Sequence, residues 1–477
     1  ETNPPMDHAL HVGLARRGLK GHFPAMTDSQ SNDQAEALGL LEDLIGQAKK
    51  AGADDCDAVF IKGVSLSKSI RLGKPEHLER SEGRDIGLRV FIGQRQAIVS
   101  SSDTAPEALA ELSMRAVAMA RAVPEDPYCG LAEAGQLAKD IPDLQSCDPF
   151  EPDAEHLSDL ASRAEEAALA VSGVTNSEGG SAGWGAYTVA MAGSNGFSHA
   201  YANSSHSLSA SVIAGEGTGM ERDYDYTAAV YAADMESPEA IGKSAGEKAI
   251  KRLHPKKVET AAVPIIYDPR VSKSLIGHLS AAVNGSSIAR GSSFLKDKMG
   301  QRIFAKGVNI IDDPHRKRGL KSRPFDGEGV ATRRSHLIND GELTTWFMDL
   351  RSARQLGLET TGHASRGTSS PPSPSASNLY LEPGTMTPEE LMADIGQGLY
   401  VNELIGFGIN GVTGDYSRGA SGFWIEDGKI AFPVSEVTIA GNLNEMFANL
   451  SAANDLEFRY GIDAPSVRVD GMTVAGR

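Results

Sequence analysis

The side chains best able to hold a metal or attack a carbonyl are twelve histidines and three cysteines, and they are scattered along the chain. No HExxH or HExxxH pattern occurs, and Cys56, Cys129 and Cys147 form no CxxC pair. A zinc site needs about three protein ligands of His, Cys or carboxylate type. No stretch sets two such residues close together with a third in an obvious place. His278 falls inside a predicted helix, with no second ligand one helical turn away. A hydrolase acting alone would have to recruit His278, Asp297 or Asp415 to new roles.

Other chemical patterns match by letter and fail by context. Gly406-Phe407-Gly408-Ile409-Asn410-Gly411 fits GxGxxG. A dinucleotide site needs a strand before that pattern and a helix after it. Here a helical run over 388–405 is expected before it and an extended run after it. Gly179-Gly180-Ser181-Ala182-Gly183 fits GxSxG. A nucleophile elbow must turn from strand to helix, whereas Trp184 opens a strand-like run, so a loop is expected at 179–183. Gly242-Lys243-Ser244 resembles the end of a phosphate loop, but position 237 is Ser and the triplet lies within an expected helix.

The elements that must position any site read as α+β. Leu41, Leu44, Ile45 and Ala48 share one face of an amphipathic helix expected at 34–52. Strand-like runs follow at 57–62, 65–72, 86–92 and 95–101, the last two flanking Gly93-Gln94 as a hairpin. Leu109, Leu112, Ala116 and Met119 form the stripe of a helix at 106–122. This first α+β unit, 34–122, is followed by a Pro- and Asp-rich connection and a helix at 153–171. Gly- and Ser-punctuated strands such as 187–192 and 207–214 complete a central unit, 123–234. The remainder, 235–477, reads as β-rich. It carries helices at 237–252 and 269–284, a strand at 263–267 and a hairpin at 423–434. Asp427-Gly428 in that hairpin favours a type I′ turn. The Ser/Pro-rich stretch 361–378 reads as a long loop or an active-site cover.

Composition sets the compartment and the excluded partners. The net charge is −17, which repels a polyanion at long range and argues against nucleic acid. The basic run His315-Arg316-Lys317-Arg318, with Lys321 and Arg323, sits among Asp312, Asp313, Asp326 and Glu328 and reads as a solvated loop. Few cysteines, odd in number, fit a reducing compartment. No apolar run approaches the roughly 20 residues of a membrane helix, and the first 25 residues lack a secretory core. Residues 1–33 are expected to be a disordered or artificial extension. The resulting expectation is a cytoplasmic protein with no membrane partner.

Longer motifs carry a resemblance. Val401-Asn402-Glu403-Leu404-Ile405-Gly406 and the run from Gly411 to Trp424, followed by Val437-Thr438-Ile439-Ala440-Gly441-Asn442, resemble the PmbA/TldE branch of the TldD/PmbA family. Gly87-Leu88-Arg89-Val90-Phe91, Gln94-Arg95-Gln96 and Gly291-Ser292-Ser293-Phe294-Leu295 match in the same way. The resemblance spans about 34–476. It implies a two-chain metalloprotease whose catalytic branch, TldD, carries HExxxH on a helix and a cysteine near the C-terminus. Two histidines and a thiolate would hold zinc there, and the Glu would act as general base. Residues five apart on an ideal helix lie about 140° apart, so that helix must end or distort at the motif.

Counting back from Gly291-Ser292-Ser293 sets the first His position at Ile276, the Glu position at Gly277 and the second His position at Ala281. His278 is out of register, and 458–476 holds no cysteine. Ile276, Leu279, Ala282 and Val283 would let this helix pack as an ordinary core helix. The expectation is a β-rich C-terminal domain carrying a degenerate metal-motif helix, with no metal or cofactor in this chain and zinc in a TldD-type partner. The resemblance further implies a heterodimer acting on unfolded or leader peptides, with His363, Arg366, Ser417 and Arg418 as candidate peptide contacts. A homodimer is open to the isolated chain. The alternatives are an independent hydrolase and a protein-interaction modulator of DNA gyrase or of an antitoxin system.

Overall fold

A computed structural model describes residues 28–476. Up to position 27 the expected extension lies outside the described residues. From there the chain is already helical, so α1 (Asp28–Ala51) begins ahead of the expected 34. Leu41, Leu44 and Ala48 are fully buried along it, as the spacing predicted.

Three strands follow: β1 (Asp55–Arg71), β2 (Lys74–Ile92) and β3 (Arg95–Ser101). The runs expected at 57–62 and 65–72 are one strand, because Gly63 and Val64 between them stay within the ladder to β2. α2 (Pro106–Ala122) matches its predicted span, although Met119 is exposed and Ala120 takes its place on the buried stripe. After α3 (Ala154–Leu169), β4 (Val174–Gly193), β5 (Ser198–Ala214) and β6 (Glu221–Ala229) complete an antiparallel sheet of order β3-β2-β1-β4-β5-β6. β1 pairs with β2 on one side and β4 on the other, so the strands of 34–122 and of 123–234 lie in one sheet.

Strand alternation sorts the two faces of that sheet. Ala58, Phe60, Leu66 and Ile70 point one way and pack with α1, α2, α3 and α4 (Pro238–Lys251). Val59, Val189 and Met191 point the other way and meet Phe325 from the C-terminal half. The GxSxG segment is a stretch of β4 rather than a loop, paired with β1 through Gly180–Gly183 and with β5. Its neighbours on both sides satisfy a continuous ladder, which overrides the loop preference of glycine and serine.

The C-terminal half is built on β7 (Ala261–Tyr267), β8 (Gln397–Ile405), β9 (Asp415–Glu426), β10 (Lys429–Asn442) and β11 (Val467–Ala475). These neighbour one another in the order β10-β9-β8-β7-β11, and β10 also pairs with β11, which closes a barrel. The hairpin expected at 423–434 is present, with Asp427 at φ 49° and Gly428 at φ 73° as a type I′ turn requires. The helix expected over 388–405 is confined to Pro388–Met392. Beyond it Leu399 and Val401 are buried between β7 and β9, and two-sided pairing wins over helical spacing. Among the described residues no helix is long and apolar enough to cross a membrane.

The basic run is less solvated than expected. Arg316 lies 3.5 Å over the Phe458 ring. Arg318 pairs with Asp234 at 2.7 Å. Arg323 donates to the carbonyls of Ala364 and Ser375. Each guanidinium finds a partner within the chain, and Lys317 stays exposed.

Candidate functional site

The helix on which the metal-motif positions were expected is α5 (Pro269–Ala282). It starts directly after β7, where the Asp268 carboxylate caps it by accepting from the Arg270 N–H, and the Tyr400 hydroxyl fixes that carboxylate at 2.7 Å. Val271, Leu275, Ile276, Leu279 and Ala282 form its buried face and join the barrel core. Ile276 is therefore a core residue. Gly277 faces open space, since a Cβ there would meet nothing within 4 Å, and Ala281 is exposed. The helix ends one residue after Ala281. Asn284 then caps a short helix, α6 (Gly285–Ala289), and because α5 stays regular through Ala282, positions 276 and 281 point to different sides of it.

His278 is half-buried against Tyr416, with ring centroids 6.1 Å apart. Its Nε2 is buried without a hydrogen-bond partner. Burial, and then the nearby Arg418 charge, push the imidazole down to about 4. It is thus held neutral near pH 7.

Two loops flank the end of α5. Ser293 Oγ donates to the Ala282 carbonyl, and the Phe294 N–H donates to Gly411 O at 2.9 Å. This joins the 291–295 loop to the 406–414 loop. Between them runs an open groove of about 430 Å3 lined by Phe294, Lys296, Asp297, Lys298, Thr413 and Asn444. The GxGxxG glycines serve local packing. A Cβ on Gly408 would stand 1.7 Å from the Ser417 carbonyl oxygen, and the Ser417 N–H donates to Gly408 O at 2.7 Å. A strand, not a helix, precedes this loop, but β9 follows it where a dinucleotide site needs a helix.

Four candidate contacts fall into two places. Ser417 is exposed on β9, and Arg418 beside it donates to Ile405 O. Phe407, which sequence reasoning passed over, is 98 % exposed at the loop tip, with the Arg418 guanidinium 6.0 Å from its ring. An aromatic residue between two glycines, with no periodic partner, was the available signal. His363 and Arg366 lie elsewhere and inside the protein. His363 is buried with Nε2 3.2 Å from Asp312, under the Phe347 ring. Arg366 is buried with Nη1 2.8 Å from Asp57 on β1.

Arg366 sits in the 361–378 stretch, which forms a small ribbon (Ala364–Ser365 with Ser373–Pro374) closing on the N-terminal sheet. Thr368 bonds Asp85 and packs its backbone on Gly87. Around Arg366 gather Asp57, Arg89 and Glu328, all buried. Burial works to raise the Asp57 carboxyl, but Arg366 and Arg89 outweigh it and hold it below the usual carboxylate range. Glu328, where burial prevails over Arg89, is pushed up to about 7.

Residues 56–120 match domain 1 of the PmbA/TldA metallopeptidases, 147–253 their central domain and 260–476 their C-terminal domain. Metalloprotease PmbA of Escherichia coli O157:H7 is 38% identical over 443 residues, which cover 92% of this chain and 96% of that protein. A Metalloprotease PmbA homolog of Haemophilus influenzae is 36% identical, with 95% and 98% covered. Among solved structures, a candidate modulator of DNA gyrase from Bacteroides thetaiotaomicron superposes at TM-score 0.85 and 27% identity, over 94% of this chain and 100% of that one. TldE from Thermococcus kodakarensis shares the fold at TM-score 0.80 and 20% identity, over 92% and 100%.

A helix-backed sheet joined to a barrel, matched along its length by these domains, defines a protein of metallopeptidase type. The chain belongs to the TldD/PmbA family, in its PmbA branch.

A family named for metalloproteases implies a metal, and the residues on α5 do not fit one. Ile276 and Ala281 have hydrocarbon side chains, and Gly277 has none to offer. His278 is a single donor. Among the described residues no group of three or more His, Cys, Asp or Glu is placed to hold an ion. His278, Asp297 and Asp415 do not assemble either. Asp415 is instead engaged by the Thr413 hydroxyl and the Asn442 amide.

Proposed function

We propose that this chain is the non-catalytic partner subunit of a two-chain peptidase of its family. A TldD-type chain would carry the zinc and cleave an unfolded or leader peptide. The observation that carries this reading is Ile276 in the core, with Gly277 and Ala281 on the open side of the same helix. Hydrolysis near pH 7 needs an activated water, and nothing at these positions can activate one. The shape around the helix is nevertheless elaborate: a groove, an exposed Phe407 loop, and Ser417 and Arg418 on an adjacent strand. Such a surface suits walling one side of a peptide chamber in a cytoplasmic complex, with Ser417 and Arg418 as contacts to an extended backbone.

The test is a peptide-cleavage assay with each chain alone, with the mixture, and with the mixture after the partner's HExxxH glutamate is replaced by Gln. Turnover is expected only in the intact mixture. Chelator-sensitive cleavage by this chain alone would overturn the reading in favour of a divergent hydrolase.

A further inference from the structure

The outer half of β2 is a free sheet edge. β1 flanks it on one side as far as Lys74, but β3 covers the other side only from Ile86 to Ile92. Every residue from Arg71 to Arg84 is exposed. Open edges are templates for added strands, and charged side chains usually guard them. Here the guard charges have an order. Glu76, His77, Glu79 and Arg80 read as their own complement in reverse about Leu78.

We propose that this edge is a homodimer interface, in which β2 pairs antiparallel with β2 of a second copy about a two-fold axis at Leu78. Such an axis, normal to the sheet, keeps like faces together and must pass through a residue, because side chains alternate. Centred on Leu78, Glu76 faces Arg80 of the other copy and His77 faces Glu79. Leu78, 54% exposed in the single chain, meets itself. Each charged pairing occurs twice, and no like charges oppose.

Neighbouring registers fail. An axis at 76 or 80 sets Glu76 or Arg80 against itself. At 77, His77 faces itself, Glu76 meets Leu78 and Glu79 meets Pro75, so no opposite charges pair. At 79, Glu79 faces itself and Glu76 faces Glu82. An axis at 81 has no like-charge clash, but it drives residues 74–76 of the second copy into the place that β3 holds beside Ile86 to Leu88. At Leu78 the incoming turn stops where β3 begins. Charge and free length select the same register.

Glu76 is the extra residue of a bulge against β1, which pairs Ser69 with His77 and Ile70 with Pro75. The bulge turns Lys74 to the face opposite Glu82, so the regular pairing is confined to 76–80. The charges are already aligned along the strand, with Arg80 2.7 Å from Glu82 and His77 3.3 Å from Glu79. A second copy would interleave with this row. The occupant is a second copy because the complement is this segment's own sequence. The inference does not depend on the proteolytic reading.

The experiment is sedimentation velocity of the purified chain over a concentration series at low salt. A dimer is expected, weakening as salt screens the exposed pairs. Glu76→Lys and Arg80→Glu should each weaken association by about tenfold, since one reversal changes two cross-strand pairs. The double variant Glu76→Lys/Arg80→Glu should return to the wild-type association. Independently, Leu78→Cys in a chain with Cys129 and Cys147 replaced by Ser should cross-link to itself on oxidation, and Ser81→Cys should not. A monomer throughout would overturn the proposal, as would a dimer indifferent to both reversals or binding of this edge only to a TldD-type chain.

Discussion

Arg366 reaches from the Ser/Pro-rich ribbon of the C-terminal half to Asp57 on β1, with Nη1 and Oδ1 2.8 Å apart and both side chains shut away from solvent. The pair ties residues more than half the chain apart. Arg89 completes it on the sheet side and Glu328 on the other.

Removing one member should expose the cost of a buried, uncompensated charge. Arg366→Ala or Asp57→Asn is expected to lower unfolding free energy by about 3–5 kcal/mol. Arg163→Ala, which breaks exposed pairs with Asp159 on α3 and Glu239 on α4, should cost about 1 kcal/mol or less. Urea unfolding of the three variants checks this. Equal losses would show that the Asp57–Arg366 pair has no special weight.

His278 gives a pH signature. Its folded value of about 4 lies below the ordinary 6.5, so between these values the unfolded chain binds a proton that the folded chain refuses. Stability from this group is full above 6.5 and is lost as pH falls toward 4. Melting temperature should therefore fall more steeply over that interval in the wild type than in His278→Gln. Parallel curves would remove His278 from the account.

Gly408→Ala should dislodge the 406–414 loop, because its Cβ would meet the Ser417 carbonyl and no flexible side chain can give way. The melting temperature should drop, and amide exchange should rise at Ser417, whose N–H bonds Gly408 O. Gly277→Ala, with open space around it, should be neutral or slightly stabilising, since alanine favours a helix. Equal losses in both would mean that the loop does not pack as described.

Arg418→Ala and Ser417→Ala should raise KM for peptide in the two-chain assay several-fold and leave the melting temperature within about 0.5 kcal/mol of equivalent stability. Zinc content of the mixture should not change. Loss of metal instead of affinity would contradict their assignment as peptide contacts.

Local signals in the sequence were strong where one element decides its own fate. The stripe of α2, the boundaries of α5 and the Asp427-Gly428 turn all follow from spacing and turn chemistry within a few residues. What could not be read depends on partners remote in sequence. β8 reads as helix until β7 and β9 flank it. Gly180–Gly183 reads as loop until β1 and β5 close the ladder. His363 and Arg366 read as surface residues because Asp312 and Asp57, which bury them, lie far along the chain. The placing of the metal-motif positions at Ile276, Gly277 and Ala281 rests on a count from Gly291-Ser292-Ser293 and on residue identity, and no tertiary contact enters it.

The barrel has an order of assembly written into its connectivity. β11 lies between β7 and the 450–452 strand and also pairs with β10, yet it is translated after every other strand of that barrel. On the ribosome, β7 emerges with one side waiting for more than 200 residues. During that interval an edge that ends up sealed is open to mispairing. A nascent chain stalled before residue 467 should hold a formed N-terminal sheet and an unfinished barrel, and it would be the species that most needs a chaperone.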